Sequence, residues 1–376
     1  MKIAYYGSSR EDVPHDPKVI AANADVMLDI INGLKNKHEI ALYASENSHV
    51  PGVKIITLGL SAHGLDSAYN KEDWVRNIYT AYILRYLTEI AHDSARYDLV
   101  HLHVGKLYMG LPFARVCKCP LVITVHQQLD PKEKEILASF PGAYIISISD
   151  SQRQKIPSLK YFDTVYNGTD IDEFKFDPKG SGGFIFRSRI SPEKGIEIAI
   201  KAAGKTKSKL KIYGPGEKDY LKKSVLSAVN KNIKYLGIVG RGTKSWYESY
   251  QKSKALILPI QWEEPFGLVM TEAMACGTPV IAFARGSVPE VIKDGETGFI
   301  VNSSGNDKRG RWQIKKTGLE GIIEAIKLLN RMPLEKYQKM RQNCRKHVED
   351  NFSVEKMVEG YEKVYQKAII DFGRKK

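Results

Sequence analysis

The chain has 376 residues, 43% of them hydrophobic and 27% charged, with only four cysteines. That balance excludes a fibrous or disordered chain and a disulfide-stapled scaffold, and the length suits two domains. The net charge of +14 sits entirely beyond residue 165: residues 1–165 carry 18 Lys+Arg against 18 Asp+Glu, and residues 166–376 carry 39 against 25. A half this basic calls for an anionic partner, whether a phosphorylated small molecule, an anionic membrane surface or nucleic acid.

The start, Met1-Lys2-Ile3-Ala4-Tyr5-Tyr6-Gly7, reads as a first strand and not as a signal peptide, and no stretch is apolar for long enough to span a bilayer. The expectation is a cytoplasmic protein. Short apolar runs at 2–6, 39–43, 54–58, 99–103, 121–125 and 144–148 read as strands, with helix-period stretches at 23–33 and 73–91 between them. The second of these helices presents Val75, Ile78, Tyr79, Tyr82, Ile83 and Tyr86 on one face, a pattern that suits a core helix better than a membrane anchor.

The turn signal Asn167-Gly168 and the flexible junction Gly180-Ser181-Gly182-Gly183 precede a second alternating series. Its strands are predicted at 184–187, 210–213, 233–236, 255–259, 280–282 and 298–301, and its helices at 195–203, 218–229, 246–253 and 269–275. From about residue 318 the pattern is helical, at 319–330, 334–350 and 353–370, before a frayed basic tail from Gly373. Strand–helix alternation in both halves predicts an α/β protein of two tandem doubly wound Rossmann-like domains, 1–170 and 180–350. Ligands of such sheets gather at the carboxyl ends of the strands, here in a cleft between the domains.

The most informative stretch begins Glu264-Pro265-Phe266-Gly267-Leu268 and runs through Glu272 to Ala273-Met274-Ala275-Cys276-Gly277-Thr278-Pro279. A helix opening just after Gly267 offers free backbone N–H groups and a partial positive charge, which suit a phosphate. Glu264 and Glu272, eight residues apart, could each take a pair of sugar hydroxyls. The same residues also suit a helix cap and a solvated carboxylate. Arg189 and Lys194 flank a turn after a strand, where two cations could neutralise a diphosphate, or merely be solvated. His126 ends a predicted strand, and His101 and His103 share a strand face; each could equally be structural. Gly7, Gly214 and Gly237 each follow a strand and allow a ligand near backbone. Cys117 and Cys119, one residue apart, lack the spacing of a zinc pair.

Together these residues resemble the family-4 retaining glycosyltransferases. The resemblance is carried by E-P-F-G-L-x-x-x-E, by A-C-G-T-P-V-I, by Gly286-Ser287-Val288-Pro289-Glu290 with Asp294-Gly295, by Arg189…Lys194-Gly195, by Gly214-x-Gly216, and by Phe352-Ser353…Tyr361…Tyr365. It implies the GT-B fold and retaining transfer of a hexose from a nucleoside-diphosphate sugar, UDP-hexose or GDP-mannose, to a glycan or lipid hydroxyl.

It also implies roles for single residues. Arg189 and Lys194 would neutralise the leaving diphosphate. Glu272 would hold the ribose, and Glu264 the transferred sugar, beside the backbone of Phe266, Gly267 and Leu268. His126 would contact donor sugar and phosphate, Gly237 and Ile238 would lie near the base, and Gly214 and Gly7 would line the donor. No metal or other cofactor is expected. The helix 353–376 would complete the first domain.

One departure is that many relatives carry Gly-Gly-x-Glu where this chain reads Val19-Ile20-Ala21-Ala22, so Ser8, Ser9 and His15 become candidates for that task. Two other readings compete: a sugar-nucleotide epimerase of the same fold, and a polyanion-binding protein, with nucleic acid the less favoured partner. The excess charge also allows peripheral contact with an anionic membrane.

Overall fold

The computed structural model describes residues 1–7, 10–19, 21–62, 73–180 and 182–375, with the backbone alone for 73–78 and 375. The chain divides into two compact units, Met1–Gly168 with Val354–Lys376, and Thr169–Ser353.

The first unit runs β1 (Lys2–Tyr6), α1 (Ala22–Leu34), β2 (Glu39–Tyr43), β3 (Lys54–Ile56), α2 (Asp73–Asp93), β4 (Leu99–Leu102), α3 (Leu107–Gly110), β5 (Leu121–Val125), α4 (Lys134–Ala138), β6 (Tyr144–Ser147), α5 (Asp150–Arg153) and β7 (Tyr161–Thr164). The second runs β8 (Phe184–Arg187), α6 (Ile196–Lys205), β9 (Leu210–Tyr213), α7 (Lys218–Ser224), β10 (Ile233–Tyr235), α8 (Lys244–Gln251), β11 (Leu256–Leu258), α9 (Leu268–Ala275), β12 (Val280–Phe283), α10 (Val288–Val291), β13 (Gly298–Val301), α11 (Gly318–Arg331) and α12 (Leu334–Asn351). The last helix, α13 (Val354–Lys375), belongs to the first unit.

Both sheets are parallel, in the orders β3-β2-β1-β4-β5-β6-β7 and β10-β9-β8-β11-β12-β13. These are the two doubly wound α/β sheets expected from the alternating pattern. Each reverses direction of winding at its first strand, so the switch points lie at β1/β4 and β8/β11, where such sheets hold ligands at their carboxyl ends. Most strands read as continuous buried apolar runs, because helices cover both faces. In the second unit Phe184, Phe186, Leu210, Ile212 and Ile233 pack under α6 and α11. In the first, Ile83, Tyr86, Leu87 and Ile90 of α2 join the core over β1, β4 and β5, and the Tyr86 hydroxyl donates to Ala44 O and Thr57 O. The side chains of Val75 and Ile78 lie outside the described residues.

Four local expectations differ from the structure. The helix predicted over 218–229 stops at Ser224: Val225 distorts the helical backbone (φ −118°), and a single tight turn follows. The strand β7 was not legible, since Tyr161-Phe162-Asp163-Thr164 is a short, half-buried edge. The junction at 180–183 is tied down: Gly182 N donates to Lys252 O, Phe184 N to Lys209 O, and Tyr337 Oη to Gly180 O; Ser181 lies outside the described residues. The basic tail is not frayed, as α13 continues through Gly373 to Lys375.

Candidate active site

In the second unit Lys194, Glu264, Phe266, Gly267, Leu268 and Glu272 gather around the amino end of α9. After β11, residues 259–267 lead to Gly267, which takes a left-handed conformation (φ +81°) and opens the helix without any side-chain cap. A Cβ there would lie 2.7 Å from the Met270 methyl. The N–H groups of Leu268 and Val269 find no partner among the described residues. Phe266 is buried, and its carbonyl accepts from Ser287 Oγ at 2.7 Å. The next loop presses on this one: Gly286 (φ +57°) has room for no Cβ, which would meet Glu264 O at 2.2 Å, and Ser287 N donates to that same carbonyl. Glu263 underpins both, accepting from Gly286 N (2.7 Å), from Arg285, and from both Nη atoms of Arg309 (2.6 and 2.7 Å). Burial works against its charge, but these hydrogen bonds outweigh it and hold the carboxyl below its usual range.

Lys194 reaches this loop from the turn after β8. Pro192 starts that turn, Gly195 closes it, and Gln261 N donates to Glu193 O, which fixes the two loops side by side. Lys194 Nζ donates to Glu264 Oε2 at 2.7 Å, Trp262 Nε1 donates to the same oxygen at 2.9 Å, and the ammonium lies 4.6 Å from the centroid of the Trp262 ring. Both charges are sheltered, with 13% and 12% of the side chain exposed. Both bonds fall on Oε2, so Oε1 is left without a protein partner among the described residues. The structure thus joins Lys194 with Glu264.

Arg189 is not part of that contact. Its side chain is 61% exposed and paired with Glu193 at 3.0 Å, where Ser191 Oγ also donates.

Glu272, one turn into α9, is buried and accepts from Tyr250 Oη at 2.6 Å. Burial first, then the neighbouring carboxylate, pushes the Tyr250 phenol well above its ordinary range, so it stays a donor. Gly214 N donates to Gly237 O at 2.9 Å, joining the ends of β9 and β10, and Ile238 is half exposed beyond them.

In the first unit, His126 follows β5, and its Nε2 lies 2.8 Å from His103 Nδ1. Burial lowers its pKa to about 4, so the ring is neutral at pH 7. Gly7 closes β1 against Met27, whose sulfur would lie 2.6 Å from a Cβ. His15 bonds Asp25 at 3.0 Å, while Ser8 and Ser9 lie outside the described residues.

Sequence reasoning gave Trp262, Tyr250, Arg187 and Glu263 no role. Trp262 and Glu263 adjoin Glu264 and could have been suspected on that ground. Tyr250 and Arg187 carry no local signal, because they meet the site only through the packing of α8 and β8.

Residues 169–347 match the model of the family "Glycosyl transferases group 1". Over that stretch, a little under half of the chain, it is similar to the group 1 glycosyl transferases. An uncharacterized glycosyltransferase of Methanocaldococcus jannaschii is 28% identical over 248 residues, 55% of this chain and 62% of that protein. The D-inositol 3-phosphate glycosyltransferase of an Arthrobacter species is 28% identical over 252 residues, 55% of this chain and 59% of its own length. The chain therefore spans about three-fifths of the length of these relatives. Among solved structures, HepE of Anabaena in complex with UDP and glucose superposes with a TM-score of 0.71 at 18% identity, covering 98% of this chain and all of that one. The sucrose-phosphate synthase of Thermosynechococcus elongatus does so with 0.75 at 16%, covering 99% and 100%. The fold is that of these two structures, GT-B, with its two parallel α/β sheets.

Proposed function

We propose that this protein, similar over 169–347 to the group 1 glycosyl transferases, is a retaining glycosyltransferase that takes a hexose from a nucleoside-diphosphate sugar, UDP-hexose in the first instance, and passes it to a hydroxyl acceptor. The observation that carries the reading is the sheltered Lys194–Glu264–Trp262 cluster beside the uncapped amino end of α9, with the buried Glu272 one turn in. A fixed cation and free N–H groups suit a diphosphate, and placing both carboxylates at acceptor-only positions suits a ribose and a hexose. The UDP-bound Anabaena structure of the same fold supports the choice of base.

In this reading Lys194 stabilises negative charge on the diphosphate as the glycosidic bond breaks, and Arg189 swings from Glu193 to share that work. Glu264 uses Oε1 on the sugar, and Glu272 holds the ribose. Phe266, Gly267 and Leu268 supply backbone contacts, with Gly214, Gly237, Ile238 and Gly7 lining the donor. The neutral His126 offers a hydrogen bond to the sugar and phosphate without a charge of its own. The departing phosphate oxygen receives the acceptor proton, and no enzymic nucleophile is needed. The cations of the chain stand where a divalent metal would otherwise act.

Calorimetric titration with UDP and with a panel of sugar nucleotides, each with and without chelator, tests the reading. Binding that survives chelation is expected. Failure of every activated sugar and of UDP to bind would end the assignment, and binding lost on chelation would end its metal-free form.

A further inference from the structure

The strand β8 reads Phe184-Ile185-Phe186-Arg187: a buried apolar strand that ends, at the switch point, in a cation. Arg187 is 4% exposed. Its guanidinium sits among three aromatic rings, 4.5 Å from the centroid of Tyr213, 4.2 Å from Trp246 and 5.1 Å from Tyr250. Nη2 donates to Ser249 Oγ at 2.6 Å, while Nε is buried with no hydrogen-bond partner among the described residues. No carboxylate pairs with it directly among those residues. A buried cation is retained at a cost unless something nearby compensates it. Ring faces compensate part. The rest lies beyond Tyr250, whose hydroxyl donates to Glu272. Arg187, Tyr250 and Glu272 therefore form a line of cation, protonated phenol and carboxylate, drawn from β8, α8 and α9.

We propose that Arg187 is a positioning residue for the donor nucleoside: through Tyr250 it holds the Glu272 carboxylate charged and aimed at the ribose hydroxyls. This rests on the nucleotide-sugar reading of the site. The other groups that face Glu272 do not supply the same charge. Cys276, one turn on in α9, is a thiol that burial pushes up to about 12. Arg341 and Arg345 of α12 are engaged at the far end of α9, Arg341 by the carbonyls of Asp177, Ser253, Gln251 and Cys276, and Arg345 by those of Ile171, Phe174 and Ala275 and by Glu349. Asp177 adds negative charge on that side. The cation on the Tyr250 side is Arg187.

The test is UDP binding by calorimetry between about pH 8 and about pH 5.5 for the wild type, Arg187→Met, Arg187→Lys and Tyr250→Phe, with circular dichroism on each. The terminal phosphate of UDP takes up a proton within this range, so each variant is read as its ratio to the wild type at the same pH. Arg187→Met should bind roughly tenfold more weakly than the wild type at the high end, and that gap should widen as the pH falls and Glu272 takes up a proton without its cation. Arg187→Lys should restore the wild-type profile. Tyr250→Phe keeps the ring against the guanidinium but cuts the link to Glu272, and should weaken UDP in the same direction. A folded Arg187→Met with the wild-type profile overturns the proposal, as does an unaltered Tyr250→Phe should Arg187→Met fail to fold. Absence of UDP binding by the wild type overturns the donor reading itself, and this inference with it.

Discussion

Lys194 and Glu264 form a sheltered ion pair, 2.7 Å apart, stacked against an indole. Removing one partner strands the other with little water to solvate it, so single substitutions here should act on chemistry more than on folding only where water can enter. At 12–13% exposure it can. Lys194→Ala is expected to lower turnover by about 10²- to 10³-fold while the protein stays folded, as read by product formation and thermal melting. Glu272→Ala should abolish transfer and weaken UDP by at least about tenfold, since the buried carboxylate proposed to hold the ribose is lost. Wild-type-like turnover by either variant would remove these assignments.

How much of this was visible beforehand differs by residue. Glu264, Gly267 and Glu272 stand in one short string, and Lys194 in another, so linear spacing exposed them. Tyr250 meets Glu272 across 22 residues, and Arg187 meets Ser249 across 62. Those partnerships exist only once β8 lies beside β11 and α8 covers the sheet, and no local pattern announces them. Arg189 shows the converse: its place in the string was plain, but its present partner, Glu193, was not.

At the scale of elements, α13 is held to the first sheet by a buried chain of hydrogen bonds. Tyr5 Oη lies 2.7 Å from Tyr365 Oη, which lies 2.7 Å from His101 Nδ1; His101 Nε2 lies 2.8 Å from Thr124 Oγ1, and that hydroxyl 2.9 Å from Tyr361 Oη. Burial drives His101 and His103 well below their ordinary range, and His126 to about 4. The unfolded chain therefore binds more protons than the folded one below the ordinary histidine value of 6.5. Stability is fully present above that value and falls as the pH drops toward 4, by up to about 1.4 kcal/mol per pH unit for each histidine. Urea denaturation at a series of pH values checks this, and a midpoint unchanged between about pH 7.5 and about pH 5 would contradict it.

A second element-scale lock is Arg341 of α12, whose guanidinium is fully buried and donates to four backbone carbonyls, Thr278 Oγ1 and Tyr337 Oη. Arg341→Met orphans those acceptors and should cost at least about 3 kcal/mol in urea unfolding. The helices α11, α12 and α13 were legible from period alone, because each is long and one-sided. The break in α7 was not, since Lys218–Val229 keeps a helical pattern of residues through the turn where its backbone departs.

At the scale of the whole molecule, the charge is lopsided. Residues 169–353 hold 33 Lys+Arg against 21 Asp+Glu, a net of +12, which leaves +2 on the other unit. A bound diphosphate needs only a few of these cations. Lys211 and Lys234 lie directly opposite one another across β9 and β10, both exposed and neither in an ion pair among the described residues. Like charges held side by side cost stability, and an anionic lipid surface would relieve that cost. Co-sedimentation is expected to favour anionic over neutral vesicles and to weaken with salt; equal partition would dismiss the idea. The tandem α/β plan was readable because each crossover repeats the same strand–helix alternation. The pairing of lysines across an edge was not, because register is a property of the assembled sheet.

The first unit is built from two stretches far apart in sequence, and the second lies wholly between them. As the polypeptide leaves the ribosome, residues 169–353 can settle while the earlier sheet still lacks its last helix. Until Tyr361 and Tyr365 emerge, His101 and Thr124 face water in place of their hydroxyl partners. The order of synthesis therefore delivers all of the second unit before the first has its closing helix, α13.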